Sequence, residues 1–144
     1  MAEVHILKAQ EDEEFEAVYS IRRIVFVEEQ QVPESEEFDG YEAISHHYLA
    51  LIDHKPIGCA RWRITPYMSI KLERFAVLED FRKLGVGAAI LKTILSELPS
   101  GYPVYLHAQL HAVPFYQKFG FVSEGEMFME CDIPHYKMRY HGTV

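Results

Sequence analysis

The segment Arg82-Lys83-Leu84-Gly85-Val86-Gly87-Ala88 constrains the fold of this chain more than any other. It stands between an apolar, strand-like run, Leu72 to Leu78, and a helical run, Val86 to Leu98. In the helical run Val86, Ile90, Leu91, Ile94, Leu95 and Leu98 recur at three- and four-residue spacing and share one face. Gly85 and Gly87 remove the side chains that would hold a ligand away from the backbone. The unpaired N–H groups of a starting helix then point outward, with the positive end of the helix dipole behind them. Such a seat suits a phosphate or pyrophosphate. Arg82 and Lys83 are expected to add positive charge at its rim. A phosphate seat between a strand and a helix points to a phosphorylated cofactor.

The rest of the chain supplies the frame for that loop. Val4 to Ala9 reads as a first strand, and Glu11 to Glu14 open a helix in which acids suit the dipole. Phe15, Val18, Tyr19, Arg22, Val25 and Phe26 continue that helix. Pro33 and Gly40 bracket an acidic loop. A hairpin follows: Tyr48 to Ile52, a turn over Asp53-His54-Lys55-Pro56, and a return strand from Ile57 to Ile64. Ser69 to Val77 is the next strand and leads into the glycine loop. After the helix come a strand from Pro103 to Gln109, a short helix from Pro114 to Phe119, and closing strands at Phe121–Met129 and Tyr136–Tyr140. No repeat or linker divides the 144 residues, so one domain over residues 1–144 is expected. Its class is α/β with a mixed sheet, because the central strand–helix–strand crossover requires at least one parallel pair.

Composition removes several functions. No apolar run approaches the ~20 residues that span a bilayer, so no membrane partner is expected. Met1-Ala2-Glu3-Val4-His5 has neither a basic start nor an apolar core of a signal peptide. Cys59 and Cys131 lack partners at metal spacing and read as reduced thiols, which fits a cytoplasmic protein. Residues 1–42 hold 13 acids and three bases, a net of −10, whereas the remaining nine acids and 11 bases give +2. The acidic part disfavours nucleic acid and would attract cations, amines among them. The same acids read equally as a solvated helix and loop. Adjacent His46 and His47 face opposite sides of a strand, and His107 and His111 sit at a strand-to-helix junction, so no metal site is expected. The loop lacks the Gly-x-x-x-x-Gly-Lys-Ser/Thr pattern of a nucleotide kinase.

With the order of elements, the glycine loop after the fourth strand and the later Phe115-Tyr116-Gln117-Lys118-Phe119-Gly120-Phe121, the chain resembles the GNAT superfamily of N-acetyltransferases. Val25-Phe26-Val27-Glu28-Glu29-Gln30, Asp39-Gly40, Ala108-Gln109 and Ile133-Pro134-His135 resemble a small bacterial subgroup of it. The resemblance implies a mostly antiparallel central sheet flanked by helices, with strands splayed into a V that holds acetyl-CoA. It implies that Arg82, Lys83, Leu84, Gly85, Val86, Gly87 and Ala88 bind the pyrophosphate through backbone N–H groups. It also implies that Phe75-Ala76-Val77 pairs with the pantetheine arm, through the backbone of Phe75 and Val77. The position of Gln109, often Asn in relatives, lies near the cofactor, and that of Tyr116 often gives a proton to the leaving thiolate. Direct attack by a bound amine is implied, and dimers are common among relatives.

Acetyl transfer to an amine poses two proton problems. An alkyl ammonium, with a pKa near ~10, must lose a proton before attacking, and the departing thiolate is better stabilised by a nearby acid. A strand N–H near Val77 could stabilise the developing oxyanion. Tyr116, on its short helix, suits the acid, or else packs its ring beside Phe115 and Phe119. Glu73 is the candidate base, since alternation puts Lys71, Glu73, Phe75 and Val77 on one face; it reads equally as a paired carboxylate, with Arg61, Arg63 or Arg74 as partner. His107 shares a strand face with Gln109. Trp62, Tyr67, Phe26 and Phe38 line an acceptor pocket or fill the core, and Arg22 and Arg23 border the acceptor or sit on a helix surface. The expected reaction is acetyl-CoA-dependent N-acetylation of a small-molecule or peptide amine. The rival is a CoA-binding module without turnover.

Overall fold

The computed structural model describes residues 3–142, so Met1 and Ala2 of the N-terminal segment lie outside it. Its strands are β1 (Val4–Lys8), β2 (His46–Ile52), β3 (Lys55–Ile64), β4 (Ile70–Val77), β5 (Val104–Gln109), β6 (Phe121–Glu130) and β7 (Ile133–Tyr140). Its helices are α1 (Asp12–Arg22), α2 (Glu34–Glu37), α3 (Val86–Glu97) and α4 (Val113–Gln117). The strands hydrogen-bond in the order β1-β2-β3-β4-β5-β7-β6. Pairs β1–β2, β2–β3, β5–β7 and β6–β7 are antiparallel, and β4–β5 is parallel. No helix among the described residues is long and apolar enough to cross a membrane.

The chain forms two compact units, Met1–Trp62 with Arg74–Pro99, and Arg63–Glu73 with Ser100–Val144. In the first, α1 opens where expected: the Glu14 carboxylate accepts the N–H groups of Gln10 and Glu11, at 2.8 and 2.9 Å. This satisfies two donors just ahead of the helix. The helix does not stop at Arg22. It widens into a π-helical segment, Arg23–Glu29, that buries Val25 and Phe26. The β2–β3 turn is shorter than expected. Asp53 and His54 both take left-handed φ, 49° and 65°, so two residues close the hairpin and β3 begins at Lys55. Helix α3 buries Val86, Ile90, Leu91 and Ile94, the face its spacing predicts. It packs closely because Gly58 lacks a side chain: a Cβ there would stand 3.0 Å from Val86 Cγ1 and 3.1 Å from the Ala76 carbonyl.

A buried ionic cluster holds this unit's acidic loop. Arg22 and Arg61 are fully buried, contrary to the helix-surface reading of Arg22. Arg22 donates to the Glu37 carboxylate at 2.9 Å, the Glu37 carbonyl at 2.6 Å and Glu42 at 3.1 Å. Arg61 donates to Asp39 at 2.6 Å and Glu42 at 3.0 Å. Arg74 reaches Asp39 at 3.2 Å, and its Nε lies 3.2 Å from Glu37 Oε2 without hydrogen-bond alignment. Acids supplied from residues 37–42 are what let arginines enter an interior, since an unpaired buried charge costs several kcal/mol, on the order of 3–5. Burial alone would raise the Asp39 carboxyl, but the Arg61 hydrogen bond, the Tyr41 N–H and the charges of Arg61 and Arg74 hold it down at about 2. Arg23 is half-exposed and pairs with Glu34.

In the second unit, the parallel β4–β5 ladder runs only from Ile70↔Val104 to Leu72↔Leu106. Two residues on, Arg74 takes a left-handed φ of 61°, unusual for a non-glycine residue inside a strand. Strand β5 continues against β7 as far as Gln109↔His135. The last strand is longer than expected, because Cys131 and Asp132, with φ of 50° and 61°, make a two-residue turn that brings Ile133-Pro134-His135 into β7. The β6–β7 register shifts between Glu124 and Phe128. Leu106, Ala108, Tyr116, Phe121 and Met138 form the buried interior.

Candidate acyl-donor loop and catalytic residues

The glycine loop belongs to the first unit. Strand β4 ends at Val77, a single 3-10 turn spans Glu79–Phe81, and α3 starts at Val86. Between them Lys83 and Gly85 both take left-handed φ, 68° and 79°. Alternating hand along a short loop turns successive N–H groups toward one side, the arrangement that binds anions. Gly85 is the N-cap of α3, and no side chain caps that end. A Cβ built on Gly85 would meet no atom within 4 Å, so the missing side chain leaves open space over the helix N-terminus. Leu84 and Lys83 are exposed, Val86 is buried, and Gly87 and Ala88 are half-buried. A diphosphate such as that of CoA fits the chemistry of this donor set: main-chain N–H groups, a dipole terminus and room for oxygen atoms.

Arg82 behaves differently from its expected role as a free rim charge. Its Nε donates to the Val77 carbonyl at 2.9 Å and its Nη2 to Glu29 at 2.7 Å. Of the three residues ahead of the loop, Ala76 is buried while Phe75 and Val77 are half-buried.

The second unit carries the proton-transfer candidates. Tyr116 lies on α4, 7% exposed, edge-on to the rings of Phe115 and Phe121 at 5.0 and 5.8 Å. Burial pushes its phenol well above the usual tyrosine range, so it holds its proton throughout neutral pH. Glu73, 8% exposed, accepts Arg63 Nε at 2.7 Å and lies 3.3 Å from Lys71 Nζ. Arg63 is therefore its arginine partner of the three considered; Arg61 and Arg74 pair with the acidic loop. Gln109 ends β5, half-buried and opposite His135.

One grouping escaped the sequence reading. His107 Nδ1 lies 3.2 Å from Glu130 Oε1, and the Phe128 ring packs edge-on to the imidazole at 4.9 Å. The His107 hydrogen bond is the main influence that, against burial, lowers the Glu130 carboxyl to about 2; the charges of His107, Lys71 and His135 add to it. His135 is fixed by its own bond to the Ile133 carbonyl at 2.7 Å. Glu130 lies 23 residues from His107 and on another strand, so spacing could not have paired them. The aromatic residues divide: Trp62 and Phe26 are buried, Phe38 packs under the guanidinium groups of Arg22 and Arg23, and Tyr67 is 91% exposed. Among the described residues no group of three or more His, Cys, Asp and Glu is placed to hold a metal ion.

Comparison with known proteins agrees with this fold. Residues 8–141 match the family model described as "Acetyltransferase (GNAT) domain". The chain is 40% identical over 134 residues to the Bacillus subtilis protein "Uncharacterized N-acetyltransferase YjcF", covering 90% of this chain and 94% of that one. Among solved structures, Escherichia coli ElaA superposes with a TM-score of 0.84 at 29% identity, over 98% of this chain and 100% of ElaA. An acyl-CoA N-acyltransferase from Pseudomonas aeruginosa gives 0.82 at 29% identity, over 97% of this chain and 99% of that one. The chain belongs to the GNAT acetyltransferase family, whose members transfer acyl groups from acyl-CoA.

Proposed function

We propose that this protein is an N-acetyltransferase that takes its acetyl group from acetyl-CoA and delivers it to a primary amine of a small molecule or peptide. The observation that carries the proposal is the left-handed Gly85 at the uncapped N-terminus of α3, with open space where its side chain would be. In this reading the N–H groups of the loop from Arg82 to Ala88 hold the CoA diphosphate, the Phe75–Val77 backbone receives the pantetheine arm, and Gln109 lies near the cofactor. The amine loses its proton to Glu73 and attacks the thioester carbon. The C–S bond breaks, and the thiolate takes the hydroxyl proton of Tyr116. The nitrogen gives up two protons in all, one to Glu73 before attack and one as the amide forms, and the second restores the hydroxyl proton that Tyr116 has passed to the thiolate.

The experiment is a panel of polyamines, aminoglycosides, amino acids and lysine peptides incubated with acetyl-CoA. Thiol release and acetylated product, read by mass spectrometry, should appear together for at least one amine. CoA binding without thiol release for any of them would favour a binding module. Within the same assay, Glu73→Gln is expected to lower turnover by about 100-fold, in the range of one general base, and to alter the pH–rate profile. An unchanged pH–rate profile in a folded Glu73→Gln protein ends that assignment.

A further inference from the structure

The loop that presents its amides also contains strain. Lys83 is a side-chain-bearing residue at φ 68°, a left-handed region that is strained for such residues. Strain of this kind persists only where neighbouring groups fix the chain on both sides. On the helical side α3 does so, through buried Val86 and Ile90. On the strand side the residue next to Lys83 is Arg82, and its guanidinium has two anchors. Nε is tied to the Val77 carbonyl at the end of β4, and Nη2 to the Glu29 carboxylate at 2.7 Å. Glu29 is the last residue of the π-helical segment. The wider turn of that segment advances each residue around the axis by less than an α-helix would, so it sets the azimuth from which Glu29 reaches the loop. With its charge matched by Glu29, Arg82 serves as a strut more than as a free cation for phosphate.

We infer that Glu29 is a positioning residue for the acyl-donor loop: through Arg82 it holds residues 83–88 in the left-handed, amide-presenting conformation before CoA arrives. The inference rests on the loop being the CoA diphosphate seat. It gives the π-helical segment a task, since a plain α-helical continuation would direct residue 29 elsewhere.

The test compares CoA affinity, by calorimetry, in wild type, Glu29→Ala, Glu29→Gln, Arg82→Ala and the Glu29→Ala/Arg82→Ala double variant. Glu29→Ala is expected to weaken CoA about tenfold, the size of one charge-assisted hydrogen bond. Glu29→Gln, whose amide oxygen still accepts from Nη2, should recover most of that loss. The double variant should bind no more weakly than Arg82→Ala alone, because the two residues act as one unit. A second readout needs no ligand: amide hydrogen exchange at residues 83–88 should speed up in Glu29→Ala and return toward the wild-type rate in Glu29→Gln. Side chains at 30% and 40% exposure can be truncated without opening the core, and a melting curve verifies the fold. Wild-type affinity and exchange in Glu29→Ala, or losses that simply add in the double variant, overturn the inference. Gly85→Val separates the two levels: if it too binds CoA normally, the loop assignment itself has failed; if it alone fails to bind, only the role of Glu29 has.

Discussion

Gly85→Val is expected to weaken CoA binding by at least about 100-fold while leaving a folded protein. The expectation has two physical parts. Gly85 sits at φ 79°, where a β-branched side chain is strained, so the loop would shift to relieve it. A Cβ built there meets no atom within 4 Å beyond its own chain neighbours, so the new methyl groups extend into open space. There they would fill the volume proposed for diphosphate oxygens and cover the N–H groups meant to bind them. Gly85→Ala divides these contributions, since it carries the backbone strain with less bulk and should fall between wild type and Gly85→Val. Calorimetric titration with CoA, beside thermal melts of all three proteins, checks the order. Wild-type affinity in a folded Gly85→Val protein would remove the loop from the binding site.

The second large effect is expected at Tyr116. Tyr116→Phe keeps the ring that packs against Phe115 and Phe121 and deletes only the hydroxyl. Turnover should fall by about 100-fold, within the range of one general acid, with CoA affinity unchanged. The sign of the pH dependence follows from burial. A buried phenol whose pKa lies above the ordinary value stays protonated through neutral and mildly alkaline pH, so it remains able to donate there. Loss of activity in that range must therefore come from another group, and a rising limb belongs to the base. Steady-state rates at saturating acceptor from pH 6 to 10, in both proteins, decide the matter (a bracket chosen about the ordinary tyrosine pKa of ~10). Equal turnover eliminates Tyr116 as the proton donor.

The parts of this molecule that depend on neighbours in the chain were legible in its residues. The run Val86, Ile90, Leu91, Ile94 announces one buried helix face, and that face is buried. The acids from Glu11 to Glu14 mark the start of a helix, and α1 starts there, with the Glu14 carboxylate accepting the N–H groups just before it. Alternation in β5 places Tyr105, His107 and Gln109 on the less buried side. What could not be read depends on distant partners. Arg22 looked like helix surface because the acids that draw it inward, Glu37 and Glu42, come 15 and 20 residues later. Glu29 meets Arg82 across 53 residues. The π-helical widening leaves the three- and four-residue spacing of Val25 and Phe26 intact, so periodicity alone ran through it. The tight turns at Asp53-His54 and Cys131-Asp132 lack glycine, the usual mark of left-handed pairs.

The ionic cluster around Arg22 and Arg61 bears on how this protein meets its acceptor. Much of the negative charge of the first 42 residues suggests a broad field that would draw cations from a distance. Glu37, Asp39 and Glu42, however, each face a guanidinium at ordinary contact distance, and two of the three arginines are sealed from solvent. Mobile ions screen such enclosed pairs far less than exposed ones. That loop is therefore electrically quiet and holds its shape across a wide range of ionic strength. Any long-range pull on an ammonium group comes instead from exposed carboxylates outside this cluster, those of α1, Glu28, Glu79 and Asp80 among them, and the cluster itself adds little to it.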